Sequence, residues 1–162
     1  MTATQITQVD RYWPTGVARW LYCPTVANPG AITRPEINAG TDLTREINST
    51  EGWATSGEDI ETPDGDSEFV GKIPGKTTAD DSAIVFYLDP SGVDVRAMFP
   101  RGTGGFIVRM LGGDIAGRKY DAYPIRVKSA TKLANVGDDD ATRLRVQFTI
   151  TREPAEDGVI PA

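Results

Sequence analysis

Apolar and polar residues alternate most cleanly near the end of the chain. In "ATRLRVQFTIT" (141–151), Leu144, Val146, Phe148 and Ile150 fall on one face and Arg143, Arg145, Gln147 and Thr149 on the other. A period of two sustained over eight residues predicts a half-buried β-strand. Comparable runs are "VARWLYCPT" (17–25), "AITRPEINAG" (31–40), "EFVGKI" (68–73), "SAIVFYL" (82–88), "GGFIVRML" (104–111) and "KYDAYPIRVKSATKL" (119–133). In the fourth, Ile84, Phe86 and Leu88 share a face; the last is long enough to bend at Pro124. Turn-forming clusters separate them: "VANPG", Pro74-Gly75 and Gly112-Gly113-Asp114. Only "DPSGVDVRAMFPRG" (89–102) has helical spacing, with Val93, Ala97 and Met98 on one side, Asp94 in the first turn and Pro100 as a stop. The pattern predicts a mainly β domain, a sandwich or barrel, with one helix of about two turns.

Residues 40–67, "GTDLTREINSTEGWATSGEDIETPDGDS", break the pattern. The segment is polar, rich in turn residues and longer than an ordinary connection, and such loops are usually functional or disordered. Its apolar residues Leu43, Ile47, Trp53 and Ile60 are too widely spaced for a core strand and too many for a solvated tether. The division expected is an N-terminal arm (1–16), one domain (17–151) holding the long loop, and a C-terminal arm (152–162), the arms ordered only if tied to something.

Composition removes several functions. With 17 Lys and Arg against 23 Asp and Glu the formal charge is −6, the wrong sign for a domain that grips nucleic acid by neutralising phosphates. No apolar run approaches the roughly 18 residues of a membrane span. The N-terminus has neither the basic start nor the apolar segment of a secretory signal, so synthesis in a cytoplasm is expected. There is no histidine and a single cysteine, Cys23, which leaves no Ser-His-Asp or Cys-His site, no usual zinc set and no internal disulfide. "GKIPGKTT" (71–78) resembles a phosphate-binding loop, but its opening glycine is one position out of place, Pro74 removes an N–H from the cradle, and a strand follows where a helix is required. Asp64, Asp66 and Glu68 imitate the start of a calcium loop, yet Phe69 stands where glycine is needed and Gly75 where a bidentate glutamate is needed. The acidic "GDDDAT" (137–142) reads as a turn before the last strand, and Asn48-Ser49-Thr50 matches a glycosylation acceptor only by accident. No catalytic residue, metal or cofactor is expected. Between Ala54 and Gly71 lie six acids and no base, either a solvated face or a surface that repels something anionic.

Taken in order, "PTVANPGAITRPEINAGTDLT", Gly52-Trp53, "IPG" followed by "DDSAIVFYLD", "RGTGGFIVRMLGGD" and "YDAYPIRVKSATK…DDDATRLRVQFTIT" resemble the major tail tube proteins of long-tailed bacteriophages, most closely those infecting actinobacteria. The resemblance runs from about residue 17 to 151 and lies in the succession of motifs. It implies two packed antiparallel sheets with a flanking helix, and six subunits in a ring whose inner sheets join into a barrel. It further implies rings stacked into a tube around DNA, with the tape measure and the terminator or tip proteins as partners and no membrane insertion. It makes the long loop the stacking device, with Thr41, Asp42, Leu43, Ile47, Trp53 and Ile60 reaching the next ring. If 31–40 and 68–73 are inner strands, alternation turns Glu36, Asn38, Glu68 and Lys72 toward the lumen. Two unit charges about 10 Å apart in water interact by about 0.4 kcal/mol, so an acidic wall guides DNA without binding it. Removing 42–62 is then expected to leave folded subunits that do not polymerise.

Two other classes compete. A carbohydrate- or receptor-binding sandwich would use Trp13, Trp20 and Trp53 as stacking platforms, and requires them exposed together. An enzyme could rely only on carboxylates, for example Glu58 with Glu68.

Overall fold

The structure, a computed structural model, describes residues 3–91, 95–134 and 141–162. Among them are ten strands: β1 (Arg19–Cys23), β2 (Thr41–Asp42), β3 (Ile47–Glu51), β4 (Thr55–Thr62), β5 (Gly71–Ala79), β6 (Ser82–Tyr87), β7 (Gly104–Met110), β8 (Lys119–Leu133), β9 (Arg143–Ile150) and β10 (Ala155–Val159). One short α-helix, α1 (Arg34–Asn38), and two 3-10 turns complete the set. The fold is mainly β, as the alternation implies. Eight strands form one antiparallel sheet in the order β2-β1-β7-β8-β9-β6-β3, with β10 also on β8, while β4 and β5 pair only with each other.

The long strand β8 organises this sheet. Its first part, Asp121 to Arg126, pairs with β7; its later part, Ile125 to Leu133, pairs with β9; and β10 lies beside its start. The ladder with β7 passes through Pro124 without interruption, and the irregularity with β9 falls between Val127 and Ser129. One hydrophobic cluster joins Trp20, Tyr22, Ile107 and Tyr123 to Ile84, Phe86, Leu144, Val146 and Phe148, so the two halves of the sheet face each other across it. The alternate residues of the first half, Leu21, Cys23, Phe106, Val108, Met110, Tyr120 and Ala122, form a second cluster with Ile32, Ile37 and Ile160. Strands β1 and β7 are therefore buried on both faces, which explains why "RWLYC" and "FIVRM" read as nearly continuous apolar runs. Each such side chain removed from water contributes about 1.5–3 kcal/mol.

Several expectations need correction. Residues 31–40 are not a strand: Thr33-Arg34-Pro35-Glu36 opens α1 instead. Proline near the start of a helix loses nothing, because the first N–H groups have no helical partner. The Glu36 carboxylate accepts the Thr33 N–H at 2.8 Å and the Thr33 hydroxyl at 2.7 Å, as a capping-box glutamate does. Ile37, one position on, is the helix's buried residue and closes the second cluster. The helix expected at 89–102 is a 3-10 turn at Val95–Ala97, and Val93 and Asp94 lie outside the described residues, as do 137–140 of the acidic turn. The end of the chain, expected to be an arm, supplies β10 and buries Ile160. At 158 only glycine fits there, because a Cβ would meet the Tyr120 ring at 2.3 Å.

The buried phenol of Tyr123 makes the fold sensitive to alkali. Burial pushes its pKa up to about 12 and that of the Cys23 thiol up to about 11. Both groups ionise earlier in the unfolded chain, so the stability they contribute is complete below pH 9 and is lost as pH rises through the folded values. Denaturant midpoints measured from pH 8 to 12 are expected to fall above pH 9, and Tyr123→Phe is expected to flatten the fall between pH 10 and 12.

Candidate functional site

The most unusual feature of the surface is the β4–β5 ribbon, residues 55–79. Every residue of β4 is exposed. The segment 40–67, expected to be irregular, thus contains β2, a 3-10 turn, β3 and the outgoing strand of this ribbon. Pro74-Gly75, expected to be a turn, lies inside β5: Gly57 pairs with Thr77 and Asp59 with Pro74, so Gly75 and Lys76 together oppose Glu58. That is a β-bulge, where a proline's missing N–H costs no ladder bond. "GKIPGKTT" is consequently strand, with its backbone committed to pairing and no phosphate cradle.

Four exposed apolar side chains lie on this ribbon, and a second group, Ile6, Val9, Tyr12, Trp13 and Val17, lies on the N-terminal stretch. Ile60 and Ile73 are directly paired and both about half exposed, and Phe69 and Val70 sit on the returning turn, Phe69 at 79 % exposure. Around them are Glu58, Asp59, Glu61, Asp64, Asp66 and Glu68 against Lys72 and Lys76, so residues 55–79 carry −4 of the chain's −6. Glu61 and Lys72 approach to 3.7 Å in the open, where such a pair contributes little. A two-stranded ribbon with neither face covered is marginal in water, so its direction must be set at its root.

The root is Trp53. The chain reverses there through two successive left-handed residues, Gly52 (φ 72°) and Trp53 (φ 64°). A Cβ on Gly52 would meet the Asp81 carbonyl oxygen at 2.5 Å, so glycine is required. For tryptophan this backbone conformation costs about 1–3 kcal/mol and persists only if the surroundings enforce it. All three polar groups of Trp53 are held: its N–H donates to Ser82 Oγ at 3.1 Å, its indole N–H to the Ala83 carbonyl at 3.1 Å, and its carbonyl accepts the Tyr123 hydroxyl at 2.9 Å. The ring is 3 % exposed and packs edge-on against Trp20 and Tyr123 at centroid distances of 5.5 and 5.2 Å.

Arg109 covers this assembly. Its Nε and Nη2 donate to one Asp121 oxygen at 3.1 and 2.8 Å, its Nη1 lies 3.5 Å from the Trp53 carbonyl, and its guanidinium sits 5.9 Å from the Trp20 ring and 5.3 Å from the Tyr123 ring. Charged hydrogen bonds and two aromatic faces meet at one half-buried arginine. At the base of the ribbon the Asp80 N–H donates to the Ala54 carbonyl at 3.0 Å, closing the two strands.

The residues expected to reach a neighbour therefore separate into two groups. Leu43 and Trp53 belong to this chain's own core and Ile47 packs half-buried against it, so none of the three is an exposed anchor. Thr41, Asp42 and Ile60 are exposed, Asp42 beside Arg19 at 4.0 Å. The alternation that turned Glu36, Asn38, Glu68 and Lys72 to a lumen does not apply: Glu36 and Asn38 are on α1, Glu68 is in the ribbon's turn, and Lys72 is on the ribbon. The Glu36 carboxyl is held below the usual carboxylate range by the N–H groups of Ala27 and Thr33 and by the Thr33 hydroxyl. Arg145 and Arg143 are engaged within the chain, by Glu51 and Asn48 of β3. Trp20 and Trp53 are buried while Trp13 is 77 % exposed, so the aromatic platform required for sugar stacking is not assembled. Glu58 and Glu68 are both exposed on the ribbon, and no cluster of metal-binding side chains occurs among the described residues.

Replacing Trp53 by Ala is expected to cost about 3–5 kcal/mol in chemical denaturation, the range for a large buried aromatic. Arg109→Ala, which strands a half-buried carboxylate, is expected to cost about 2 kcal/mol. In both variants limited proteolysis should cut at 54–56 faster than in the parent protein.

Comparison with known proteins places this geometry. No curated protein matches the sequence. Among solved structures, the chain is similar to one from the sheath/tube terminator of an extracellular contractile injection system in its extended state (TM-score 0.65, 14 % identity, 90 % of this chain and 96 % of the other). It is similar also to one from the sheath-tube complex of that system (0.65, 14 %, 93 % and 95 %) and to one from the tube-terminating cap of the anti-feeding prophage (0.59, 13 %, 94 % and 93 %). At such identities the likeness concerns the fold. A family model described as "Phage tail tube protein" matches residues 6–162, which is nearly the whole chain, and the protein belongs to the phage tail tube protein family.

Proposed function

We propose that this structural tail component polymerises into stacked rings, six subunits to a ring, that form the tube through which phage DNA is ejected. The observation that carries the reading is the ribbon: a firmly rooted pair of strands, β4 exposed throughout and β5 at most of its positions, with Ile60, Phe69, Val70 and Ile73 uncovered. Such a patch on a rigid mount marks an interaction surface. Stacked rings make an open, heterologous contact, in which a projecting element of each copy meets a different surface of the next. Ring closure uses the sheet's outer strands. β3 ends the sheet on one side and the two-residue β2 on the other, and pairing with neighbours removes the hazard of an open edge. The mechanism is mechanical and electrostatic and needs no catalysis or cofactor. The tape measure protein and the terminator or tip proteins are the other expected partners, DNA passes without specific binding, and assembly takes place in the host cytoplasm before the tube joins the virion tail.

A cut at 42–62 would remove Leu43 and Trp53 from the core and so would not isolate the stacking role. Deleting 59–74 does, because it leaves Glu58-Gly75-Lys76 as a three-residue turn between the paired Gly57 and Thr77. By negative-stain electron microscopy and sedimentation, the full chain is expected to form rings and tubes as its concentration rises. The shortened chain is expected to melt within a few degrees of the full one and to stay unstacked; tubes of normal length from it would contradict the reading.

A further inference from the structure

The acidic ribbon has a counterpart elsewhere on the same molecule. Arg126 stands on the outer face of β8, opposite Thr149 of β9, and lines two adjoining grooves. Arg101 lines one of them and Arg152 the other, with Thr151 shared between both. Among the described residues neither groove is lined by an acid. The fourth cation there, Lys128, is engaged with Asp81 at 3.2 Å, but Arg101, Arg126 and Arg152 are exposed and have no ion-pair partner among the described residues. In a chain of net charge −6 this is a local reversal of sign. The walls also leave room: at Gly102 a Cβ would meet nothing within 4 Å, and at Gly104 its nearest neighbour would be the Ile125 carbonyl oxygen at 3.8 Å. Backbone from outside can approach closely at both positions.

We infer that the Arg101–Arg126–Arg152 grooves receive the acidic β4–β5 ribbon of a second copy of this chain. The inference rests on the stacking reading above and names its receiving surface. The ribbon's net −4 and the three unpaired guanidiniums are complementary, and they lie on different parts of one subunit, as an open stack requires. Carboxylates suit the arginines well, since guanidinium forks donate two parallel N–H bonds to a carboxylate and the threonine hydroxyls add further donors. Within one copy the ribbon's acids face water, and among the described residues only Glu61 has a basic ion-pair neighbour. Complementary charge of this kind sets partner and register and weakens as salt rises.

The test is a charge exchange read by sedimentation and electron microscopy. R101E/R126E/R152E, altered only at exposed positions, is expected to keep its melting temperature and to raise the concentration needed for stacking about ten-fold or more. Adding E61K/D64K/D66K/E68K to the same chain restores opposite signs and is expected to restore stacking. Gly104→Leu, which fills the groove without changing charge, should impair stacking as well. If the arginine reversal stacks like the parent while removal of 59–74 abolishes stacking, the grooves are not the receptor and the stacking reading stands. Reversal that leaves stacking unchanged but alters DNA retention in the tube would assign the patch to phosphate and overturn the inference. A full chain that never polymerises takes both down.

Discussion

A two-stranded ribbon exposed on all sides does not hold its own direction, and this constraint governs the rest of the molecule. The solution is a tryptophan placed in a conformation that tryptophan disfavours. The cost of the left-handed backbone at Trp53 is offset by three hydrogen bonds from its polar groups and by burial of its ring among Trp20, Tyr123 and Phe148. Because all these partners belong to the packed sheet, the ribbon's direction is inherited from the most rigid part of the domain. Arg109 and Asp121 close the arrangement from outside.

The body can supply that rigidity because its first sheet half is covered on both faces. One face meets the second half of the sheet; the other is closed by α1 and by the chain's end through Ile37 and Ile160. Neither cover uses the ribbon. The subunit thus separates into a core that packs on itself and a projecting element that this core does not bury.

Legibility in the sequence followed the range of the interactions. β9 and β8 were readable because alternation is local, and β8's bounds coincide with the stretch 119–133. The helix at 34–38 was hidden by β-branched and apolar neighbours, although Thr33-x-x-Glu36 with a proline between carries a helix-start signature. β4 had no signal, since all its residues face water and nothing alternates. Trp53 and Leu43 looked like outward anchors because their core partners, at 20, 82–83, 109 and 123, are distant in sequence. The basic grooves draw on residues near 101, 126 and 152 and are invisible to any local pattern.

The central claim is that residues 55–79 find their burial partner only in another copy of the chain. Hydrogen exchange read by mass spectrometry on free subunits and on assembled tubes tests it most directly. The account predicts that amides between Gly57 and Gly75 exchange fast in the free subunit, while β9 is protected, and slow by about 100-fold or more on assembly. Ribbon amides as protected as β9 in the free subunit, or unchanged in the tube, would contradict it.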